Sequence, residues 1–416
     1  MKPTVLLACT SRWFPASRLA MALATSGFVV DAVCPPRHSL PKLRSVRRTS
    51  THFGFSPRDS FETAILRTRP DLVIPCDDVA ALHLHALYAQ TCRQNPSAQL
   101  CKLIERSLGL PKSFPILYQR AAFIELAREQ GIRTPQTRVI ADKADLRAWA
   151  NTFGLPAVLK VDSTSGGEGV RIVSTIEEAE RLFTSFSAPP LTARAAKRAL
   201  VDQDYSLIQP SLFRRSGVIS AQSFIRGREA TTAVACWKGN VLASLHFEVI
   251  NKTDATGHST VLRLIENAEM SSAVEKIVAR LGLSGINGFD FMLEAESGNP
   301  YLIEINPRAT QVGHLMLGGG RDIPAALFSS VTGRPIHEAP KVTDNNVIAL
   351  FPQEWKRDPA SPYLLSGYHD VPWDEPELIR ACVRPRRKQW ARYAAQELVR
   401  GIAPPRMPCL RDHREQ

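Results

Sequence analysis

A predicted β-hairpin in the second half of the chain concentrates polar side chains among apolar ones, in the run GFDFMLEAESGNPYLIEINPR. Asp290 and Glu304 lie on the same face of two adjacent strands if the acidic turn EAESGN closes the hairpin. Glu304 and Asn306 are two residues apart, so both side chains leave one face of their strand. Oxygen donors that converge in this way suit a hard cation such as Mg²⁺ or Mn²⁺ between nucleotide phosphates. The sequence therefore predicts a metal site at Asp290, Glu304 and Asn306.

Arg308 stands two residues beyond Asn306 and points at the same site if the strand continues. Its planar donor fork can hold a carboxylate or an acyl phosphate through two parallel hydrogen bonds. The alternative interpretation is a half-exposed hairpin whose polar residues face water. The rigid Asn-Pro-Arg corner favours the metal site over a mixed, solvated face.

A second predicted hairpin, VLKVDSTSGGEGV, carries Lys160 inside an apolar strand and a loop of small residues at 163–169. A buried ammonium is costly unless it meets an anion, and a loop of Ser, Thr and Gly can turn its backbone N–H groups toward phosphate oxygens. Lys160 and this loop therefore predict a nucleotide-phosphate clamp. The alternative is an ordinary glycine-rich hairpin tip beside a lysine that reaches water. The spacing excludes a P-loop.

The first hundred residues alternate predicted strands with predicted helices. The strands cover residues 4–9, 28–34 and 71–75, and the helices cover 16–25 and 60–68. This alternation predicts a parallel sheet with both faces covered, in which ligands bind beyond the carboxyl ends of the strands. A dinucleotide-binding module is not supported, because the segment has no G-x-G-x-x-G.

Polar residues follow the first and third of these strands, at Thr10, Ser11, Arg12, Asp77 and Asp78. The topology of a parallel sheet places them near one candidate pocket. Asp77 or Asp78 is equally suited to cap the helix that begins with VAALHLHAL. Both interpretations remain open at this point.

The rest of the chain is predicted to be mainly β-hairpins with helices between them. Predicted strands lie at 157–161, 170–174, 206–208, 218–225, 231–237, 241–249, 260–264, 288–293 and 301–305, with another in the run VIALF. Predicted helices lie at 119–130, 191–200, 270–281, 323–331 and 388–400.

The composition of the chain limits which classes of protein it can belong to. A chain of 416 residues with 44% hydrophobic and 22% charged residues is long enough for two or three domains with buried cores. No apolar run is long enough for a membrane span or a signal-peptide core. The eight cysteines contain no C-x-x-C pair, which argues against a zinc knuckle, a redox dithiol and a disulfide-stapled secreted fold. We therefore expect reduced thiols in a cytoplasmic protein.

The formal charge of +12 allows two interpretations, an anionic partner or an arginine-rich surface that keeps the protein soluble. No aromatic RNA-binding signature, helix-turn-helix pattern or basic zipper is present. We therefore expect no nucleic-acid partner.

The two hairpins, in this order and about 130 residues apart, resemble the ATP-grasp superfamily, which includes carbamoyl-phosphate synthetase, biotin carboxylase and the D-alanine–D-alanine ligases. The resemblance covers about residues 113–334. It implies a mixed α/β and α+β protein: an N-terminal parallel α/β domain at 1–112, then a two-lobed ATP-grasp domain at 113–334. The lobes would lie at about 113–190 and 205–334, and residues 335–416 would form a C-terminal segment.

The resemblance also implies roles for individual residues. Lys160 matches the phosphate-binding lysine of the family's glycine-loop hairpin, and Arg120 stands where the family has its earlier lysine. Gln222 stands in the hinge where many members carry glutamate. Asp290, Glu304 and Asn306 match the magnesium ligands. The remaining implied ATP contacts are the loop residues Ser165, Gly166, Gly167 and Gly169 and the hinge residues Phe224, Ile225 and Glu229.

The implied activity is that of an ATP-dependent ligase in which a small carboxylate attacks the γ-phosphate and the acyl phosphate is passed to an amine, with Arg308 and Lys160 as catalytic residues. The implied cofactors are ATP and Mg²⁺ or Mn²⁺, and the implied partners are a small carboxylate and an amine. The resemblance is also compatible with a homodimer. Alternatives are a carboxylase or synthetase that uses bicarbonate or another small acid, and a non-catalytic ATP-binding regulator.

Overall fold

The computed structural model describes residues 2–162, 169–188, 217–254, 257–335 and 340–383. Three predicted elements, the helices at 191–200 and 388–400 and the strand at 206–208, lie outside these residues. Every helix among the described residues is too short or too polar to cross a lipid bilayer.

The N-terminal part is a four-stranded parallel sheet in the order β3-β2-β1-β4, as the alternation of the sequence predicts. Its strands are β1 (Thr4–Ala8), β2 (Val29–Cys34), β3 (Val46–Thr51) and β4 (Leu72–Pro75). Its helices are α1 (Pro15–Thr25), α2 (Pro57–Thr68), α3 (Asp78–Gln94) and α4 (Gln99–Leu108). The sequence analysis missed β3, because an edge strand that is largely exposed carries the polar run VRRTST rather than an apolar one.

A small lobe follows helix α5 (Arg120–Glu129) and is built on a four-stranded antiparallel sheet in the order β5-β8-β6-β7. Its strands are β5 (Thr137–Val139), β6 (Ala157–Val161), β7 (Val170–Val173) and β8 (Ile219–Ser223). Helices α6 (Lys143–Phe153) and α7 (Ile176–Ser187) complete a separate core around the fully buried Trp149. The predicted hairpin of β6 and β7 is confirmed, with Lys160 opposite Val170.

A large lobe contains a seven-stranded sheet in the order β13-β12-β9-β10-β11-β14-β15. The central strands are β9 (Gly227–Trp237), β10 (Asn240–Lys252), β11 (Ser259–Leu264), β12 (Gly285–Glu294) and β13 (Pro300–Asn306). Helices α8 (Ala268–Leu281) and α9 (Ile323–Thr332) belong to the same lobe. Its apolar core is continuous with that of the N-terminal sheet, since Leu6 and Val73 share one cluster with Val234 and Phe289.

The C-terminal segment adds strands β14 (Val347–Ala349) and β15 (Tyr368–His369) to the edge of the large sheet. Its described helices are α10 (Gln353–Arg357), α11 (Tyr363–Ser366) and α12 (Pro376–Val383). Asp370, at the end of β15, is buried and bonds both the guanidinium of Arg18 in α1 and, at 2.6 Å, Nε2 of His314. This cluster attaches the C-terminal segment to the rest of the molecule.

Two cysteines lie in contact although nothing in the sequence indicates it. Cys92 in α3 and Cys101 in α4 have Cα atoms 6.3 Å apart, within the range that a disulfide spans. The turn between two antiparallel helices brings together cysteines that are nine residues apart in sequence, and no spacing rule reveals that contact.

Candidate functional site

A cavity of about 440 Å³ opens between the small lobe and the large sheet, and the N-terminal part closes one side of it. Ten of the predicted site residues line it: Arg120, Lys160, Gln222, Phe224, Ile225, Glu229, Asp290, Glu304, Asn306 and Arg308. Gly169 lies at the base of the β6–β7 hairpin, where its carbonyl accepts a hydrogen bond from Val161 N at 2.9 Å. Ser165, Gly166 and Gly167 lie outside the described residues.

The hairpin of β12 and β13 forms the acidic wall of the cavity. Asp290 is directly opposite Glu304, and Asn306 is opposite Gly288, so alternation along the strands places the three side chains together as predicted. Asn306 Nδ2 donates to Asp290 Oδ2 at 2.8 Å, and Thr231 Oγ1 donates to Asp290 Oδ1 at 2.8 Å. Burial and the nearby Glu304 carboxylate raise the pKa of Asp290 to about 6.

This donor set fits Mg²⁺ or Mn²⁺. The Glu304 carboxylate raises the cost of ionising Asp290, and a divalent cation between the two would offset that repulsion. The described residues contain no group of three His, Cys, Asp or Glu side chains placed to hold a metal by themselves. Mg²⁺ is commonly held by one or two carboxylates together with substrate phosphates, so a pair of acids and an amide oxygen is sufficient.

Lys160 approaches the acidic wall from strand β6. It is only 5% exposed, and its Nζ donates to the carbonyl of Ile303 at 3.5 Å. Burial lowers the pKa of Lys160 to about 8; the Glu304 carboxylate opposes that shift, and Arg120 adds to it. The ammonium thus lies in a desolvated position beside two carboxylates, where an added phosphate would favour its charged form.

Arg120 begins helix α5 and connects the two lobes. Its Nη2 donates to Glu304 Oε1 at 3.0 Å, and its Nη1 donates to the carbonyl of Val161 at the end of β6. Its backbone N–H also donates to Asp162 Oδ1 at 3.4 Å. Arginine at this position therefore spans the distance between the glycine-loop hairpin and the acidic wall.

The end of β8, the segment 224–226 and the start of β9 lead from the small sheet to the large one and carry the predicted hinge residues. Gln222 is buried and donates through Nε2 to Thr137 Oγ1 at 3.0 Å. Phe224 and Ile225 are half-buried and line the cavity. Glu229 accepts a hydrogen bond from Lys252 Nζ at 2.6 Å. The position of this segment, between two sheets and against the cavity, suits contact with a flat nucleobase.

Arg308 lies where the cavity meets the N-terminal part. Its Nε donates to Asp78 Oδ1 at 2.9 Å, and its Nη2 donates to Asn306 Oδ1 at 3.1 Å. Its Nη1 donates to the carbonyl of Ala309 at 3.3 Å. The guanidinium carbon is 5.4 Å from the centre of the Trp13 ring, within cation–π range. Arg308 is thus positioned by Asp78, Asn306 and Trp13.

The two aspartates after β4 have different surroundings. Asp77 caps α3 by accepting from Ala80 N at 2.8 Å, and it also accepts from Thr10 N at 2.7 Å and Ser11 N at 3.1 Å. The capping interpretation is therefore confirmed for Asp77. Asp78 lines the cavity instead. Arg12, which also follows β1, bonds the carbonyl of Pro36 at 2.8 Å.

Sequence analysis also missed residues of the cavity wall, among them Trp13, Tyr118 and His258. Trp13 follows β1 by only a few residues, and its position beyond the carboxyl end of a strand could have identified it as a residue of the site. Tyr118 ends the short 3-10 helix Pro115–Tyr118, His258 precedes β11, and nothing in their local sequence distinguishes them.

Residues 121–312 match the protein family described as ATP-grasp domain. The arginine-specific large chain of carbamoyl phosphate synthase from Geobacillus stearothermophilus is 24% identical over 238 residues, or 57% of this chain and 19% of that protein. Chloroplastic biotin carboxylase 1 from Populus trichocarpa is 26% identical over 298 residues, or 62% of this chain and 54% of that protein. The chain thus spans about a fifth of the first relative and about half of the second.

Solved structures show the same architecture. The biotin carboxylase domain dimer of Hydrogenobacter thermophilus 2-oxoglutarate carboxylase, in complex with MgADP, ADP and bicarbonate, matches 81% of this chain and 71% of its own, with a TM-score of 0.56 and 18% identity. N5-carboxyaminoimidazole synthetase from Staphylococcus aureus matches 81% of this chain and 78% of its own, with a TM-score of 0.55 and 13% identity. At these identities the likeness supports the fold alone. Together with the family match, it shows that the chain contains an ATP-grasp domain at residues 121–312.

Proposed function

We propose that the protein is an ATP-dependent ligase that activates a small carboxylate as an acyl phosphate and transfers the acyl group to an amine. The observation that carries this proposal is the arrangement of charge in one inter-lobe cavity. Lys160 and Arg120 lie beside the Asp290–Glu304 pair, and Arg308 lies next to Asn306 at the side closed by the N-terminal part.

Each group in the cavity has a role in this proposal. The hinge around Phe224 and Ile225 holds adenine, Glu229 accepts from ribose hydroxyls, and Lys160 and Arg120 bind phosphate oxygens together with the glycine loop. Asp290, Glu304 and Asn306 hold Mg²⁺ or Mn²⁺, which would supply positive charge to the phosphates. Arg308 orients the acid. These assignments rest on the positions of the side chains and on the family resemblance.

The reaction needs positioned charge rather than a side-chain nucleophile. An oxygen of the substrate carboxylate attacks the γ-phosphorus, the bond to the ADP oxygen breaks, and an acyl phosphate forms. The amine nitrogen then attacks the acyl carbon, the C–O bond to phosphate breaks, and the amine loses one proton. Lys160 and Arg308 stabilise the negative oxygens of the two steps. The buried position of Lys160 keeps water from weakening that interaction.

Bicarbonate is the second candidate for the acid. The relatives that match this chain include biotin carboxylase, and N5-carboxyaminoimidazole synthetase shares its fold. A carboxylase or synthetase would use the same ATP site and the same first step. A non-catalytic regulator is disfavoured because the acidic pair, Lys160 and Arg308 are all present in the cavity. We further propose a cytoplasmic location and, since the Hydrogenobacter domain is described as a dimer, a homodimer.

A phosphate-release screen tests the proposal. ATP and Mg²⁺ are supplied with pools of small carboxylates and amines, and bicarbonate forms a separate arm. Release that needs both an acid and an amine supports the ligase, and release that needs bicarbonate supports the second candidate. Glu304→Gln, which keeps the size of the side chain, is the matched control and should abolish the signal. A protein that binds MgATP but releases no phosphate with any acid would be a regulator.

A further inference from the structure

We propose that the acid activated at this site carries a positively charged amine next to its carboxylate, as an α-amino acid does, and that Asp78 is the specificity-determining residue that binds this ammonium group. The inference rests on the proposed function and narrows it to one class of acid. Arg308 binds the carboxylate of the amino acid, and Asp78 binds its amine.

The Arg308–Asp78 pair leaves donors of the guanidinium available to a substrate. A guanidinium has five N–H donors. Three of them have protein partners here: Nε with Asp78, Nη2 with Asn306 and Nη1 with the Ala309 carbonyl. The second hydrogens of Nη1 and Nη2 remain for a substrate carboxylate. The Arg308 side chain is 17% exposed and the Asp78 side chain 30% exposed, and both line the cavity.

Asp78 is not needed to cap helix α3. Asp77 performs that task, since it accepts from the backbone N–H of Ala80. Among the described residues, Arg308 is the hydrogen-bond partner of the Asp78 carboxylate, through Oδ1. A carboxylate that is bonded on one oxygen and lines a cavity is well placed to accept a hydrogen bond from an ammonium group.

The charges of the Arg308–Asp78 pair favour a substrate that carries both a positive and a negative group. The Arg308–Asp78 pair is neutral overall, and the further carboxylates that act on Arg308 are those of Asp290, beyond Asn306, and Asp77. A simple carboxylate near this pair is attracted by Arg308 and repelled by Asp78. A zwitterion is attracted by both residues. Its ammonium and carboxylate groups are attached to the same carbon, and the two protein charges lie in hydrogen-bond contact with each other. The site therefore favours an amino acid over the same acid without its amine.

Apolar side chains on one side of the pair indicate which probes to use. Val79 and Leu82, on the first turns of α3, line the cavity, and Trp13 lies against the Arg308 guanidinium. An aliphatic side chain on the α-carbon would meet these groups. L- and D-leucine are therefore suitable probes, and 4-methylpentanoate is the matching acid that lacks only the amine.

Hydroxamate formation tests the inference without knowledge of the natural acceptor. The full-length protein is incubated with ATP, Mg²⁺ and hydroxylamine, which captures an acyl phosphate, and each amino acid is compared with its amine-free analogue. We expect kcat/KM for the amino acid to exceed that for the analogue by at least about tenfold. Asp78→Asn should reduce this ratio by at least about tenfold, while Asp142→Asn, an exposed helix cap in the small lobe, should leave it unchanged.

The outcomes separate the inference from the proposed function. Hydroxamate from 4-methylpentanoate as fast as from leucine, or from bicarbonate-like acids alone, would overturn the role of Asp78 and leave an ATP-dependent ligase or carboxylase. An equal loss with both acids in Asp78→Asn would also overturn it, because a merely structural residue affects both alike. No hydroxamate from any acid would overturn both proposals. Should Asp78→Asn fail to fold, the wild-type ratio of kcat/KM for leucine to that for 4-methylpentanoate still shows whether the site recognises the amine.

Discussion

Arg120 and Glu304 form an ion pair across the cavity, with Nη2 of the arginine 3.0 Å from Oε1 of the carboxylate. The pair joins the start of α5 to the acidic wall on β13. Arg120 stands where the ATP-grasp proteins that this sequence resembles have a phosphate-binding lysine. A guanidinium can bond a phosphate and a carboxylate at once, because its donors diverge, whereas an ammonium acts as a compact point charge.

Arg120→Ala should therefore weaken MgATP binding by about tenfold, or about 1.4 kcal/mol, and Arg120→Lys should restore only part of the loss. Calorimetric titration of the folded variants measures the change. Arg128→Ala, at an exposed ion pair on the same helix, is the matched control. Unchanged affinity in Arg120→Ala would show that this residue serves only the lobe contact.

MgATP should stabilise the protein, because a ligand that binds only the folded state shifts the unfolding equilibrium. The expected gain is roughly 2.7 kcal/mol at a ligand concentration of 100 times Kd. Lys160→Met should lose most of this gain, since it removes the buried cation beside the acidic wall. Thermal unfolding with and without millimolar MgATP measures both. A wild type whose Tm does not respond to MgATP would contradict the assignment of the nucleotide site.

Lys160 also predicts a dependence on pH. Its pKa in the folded protein is about 8, below its ordinary value, because burial penalises the charge. Between pH 8 and about 10.4 the unfolded chain binds more protons at this residue than the folded one, so the stability of the wild type relative to Lys160→Met should rise with pH. The rise between pH 7 and pH 10 is up to about 3 kcal/mol.

MgATP affinity should change in the opposite direction over the same range, since the free protein loses the ammonium charge as the pH rises through about 8. Lys160→Arg keeps its charge and should bind MgATP with an affinity that depends less on pH. Urea unfolding of the wild type and Lys160→Met at several pH values, together with MgATP titration, checks both trends. A relative stability that falls with pH would mean that Lys160 is not a desolvated cation.

The hairpin chemistry was predictable because it depends on the two-residue period of a strand. That period places Glu304 and Asn306 on one face of their strand, and a β-bulge next to Asp290 brings this residue opposite Glu304. Lys160 was predictable for the same reason, as a charged residue inside an apolar strand. Local patterns of this kind need no knowledge of distant parts of the chain.

The contacts that the sequence analysis missed are long-range. Asp78 and Arg308 are 230 residues apart, and only the packing of the N-terminal sheet against the large lobe brings them together. Trp13 reaches Arg308 by the same packing. Strand β14 was predicted in the run VIALF, whereas β15 has only 2 residues and no sequence pattern of its own. The place of both strands in the sheet is determined by neighbours such as Leu262. Tertiary contact, rather than local propensity, determines these features.

The metal assignment predicts that Glu304→Ala and Asn306→Ala each lose at least about tenfold in kcat/KM for the metal-dependent reaction while they remain folded. Both side chains are half-buried at the cavity surface, so their removal leaves the apolar core intact. Mn²⁺ binding in the presence of ADP gives a readout that does not depend on the acid. Glu296→Ala, in the exposed turn of the same hairpin, is the control. Normal Mn²⁺ affinity in Glu304→Ala would contradict the assignment.

Arg308→Lys separates a substrate role for Arg308 from a structural one. Lysine keeps the positive charge near Asp78 but loses the planar fork, so it cannot bond Asp78, Asn306 and a substrate carboxylate at the same time. If Arg308 holds the acid, kcat/KM for the acid should fall by one to several orders of magnitude, about 1.4 kcal/mol for each tenfold, while MgATP affinity stays nearly constant.

A purely structural arginine would behave differently. Loss of its bonds to Asp78 and Asn306 would loosen the contact between the N-terminal part and the acidic wall. Stability would then fall, and MgATP and the acid would both bind more weakly. Arg228→Lys, at the ion pair with Glu248 away from the acid, controls for the substitution itself. Normal turnover of Arg308→Lys at low acid concentration would mean that other groups anchor the carboxylate, and Asp78 would then have no arginine-bound acid beside it to select.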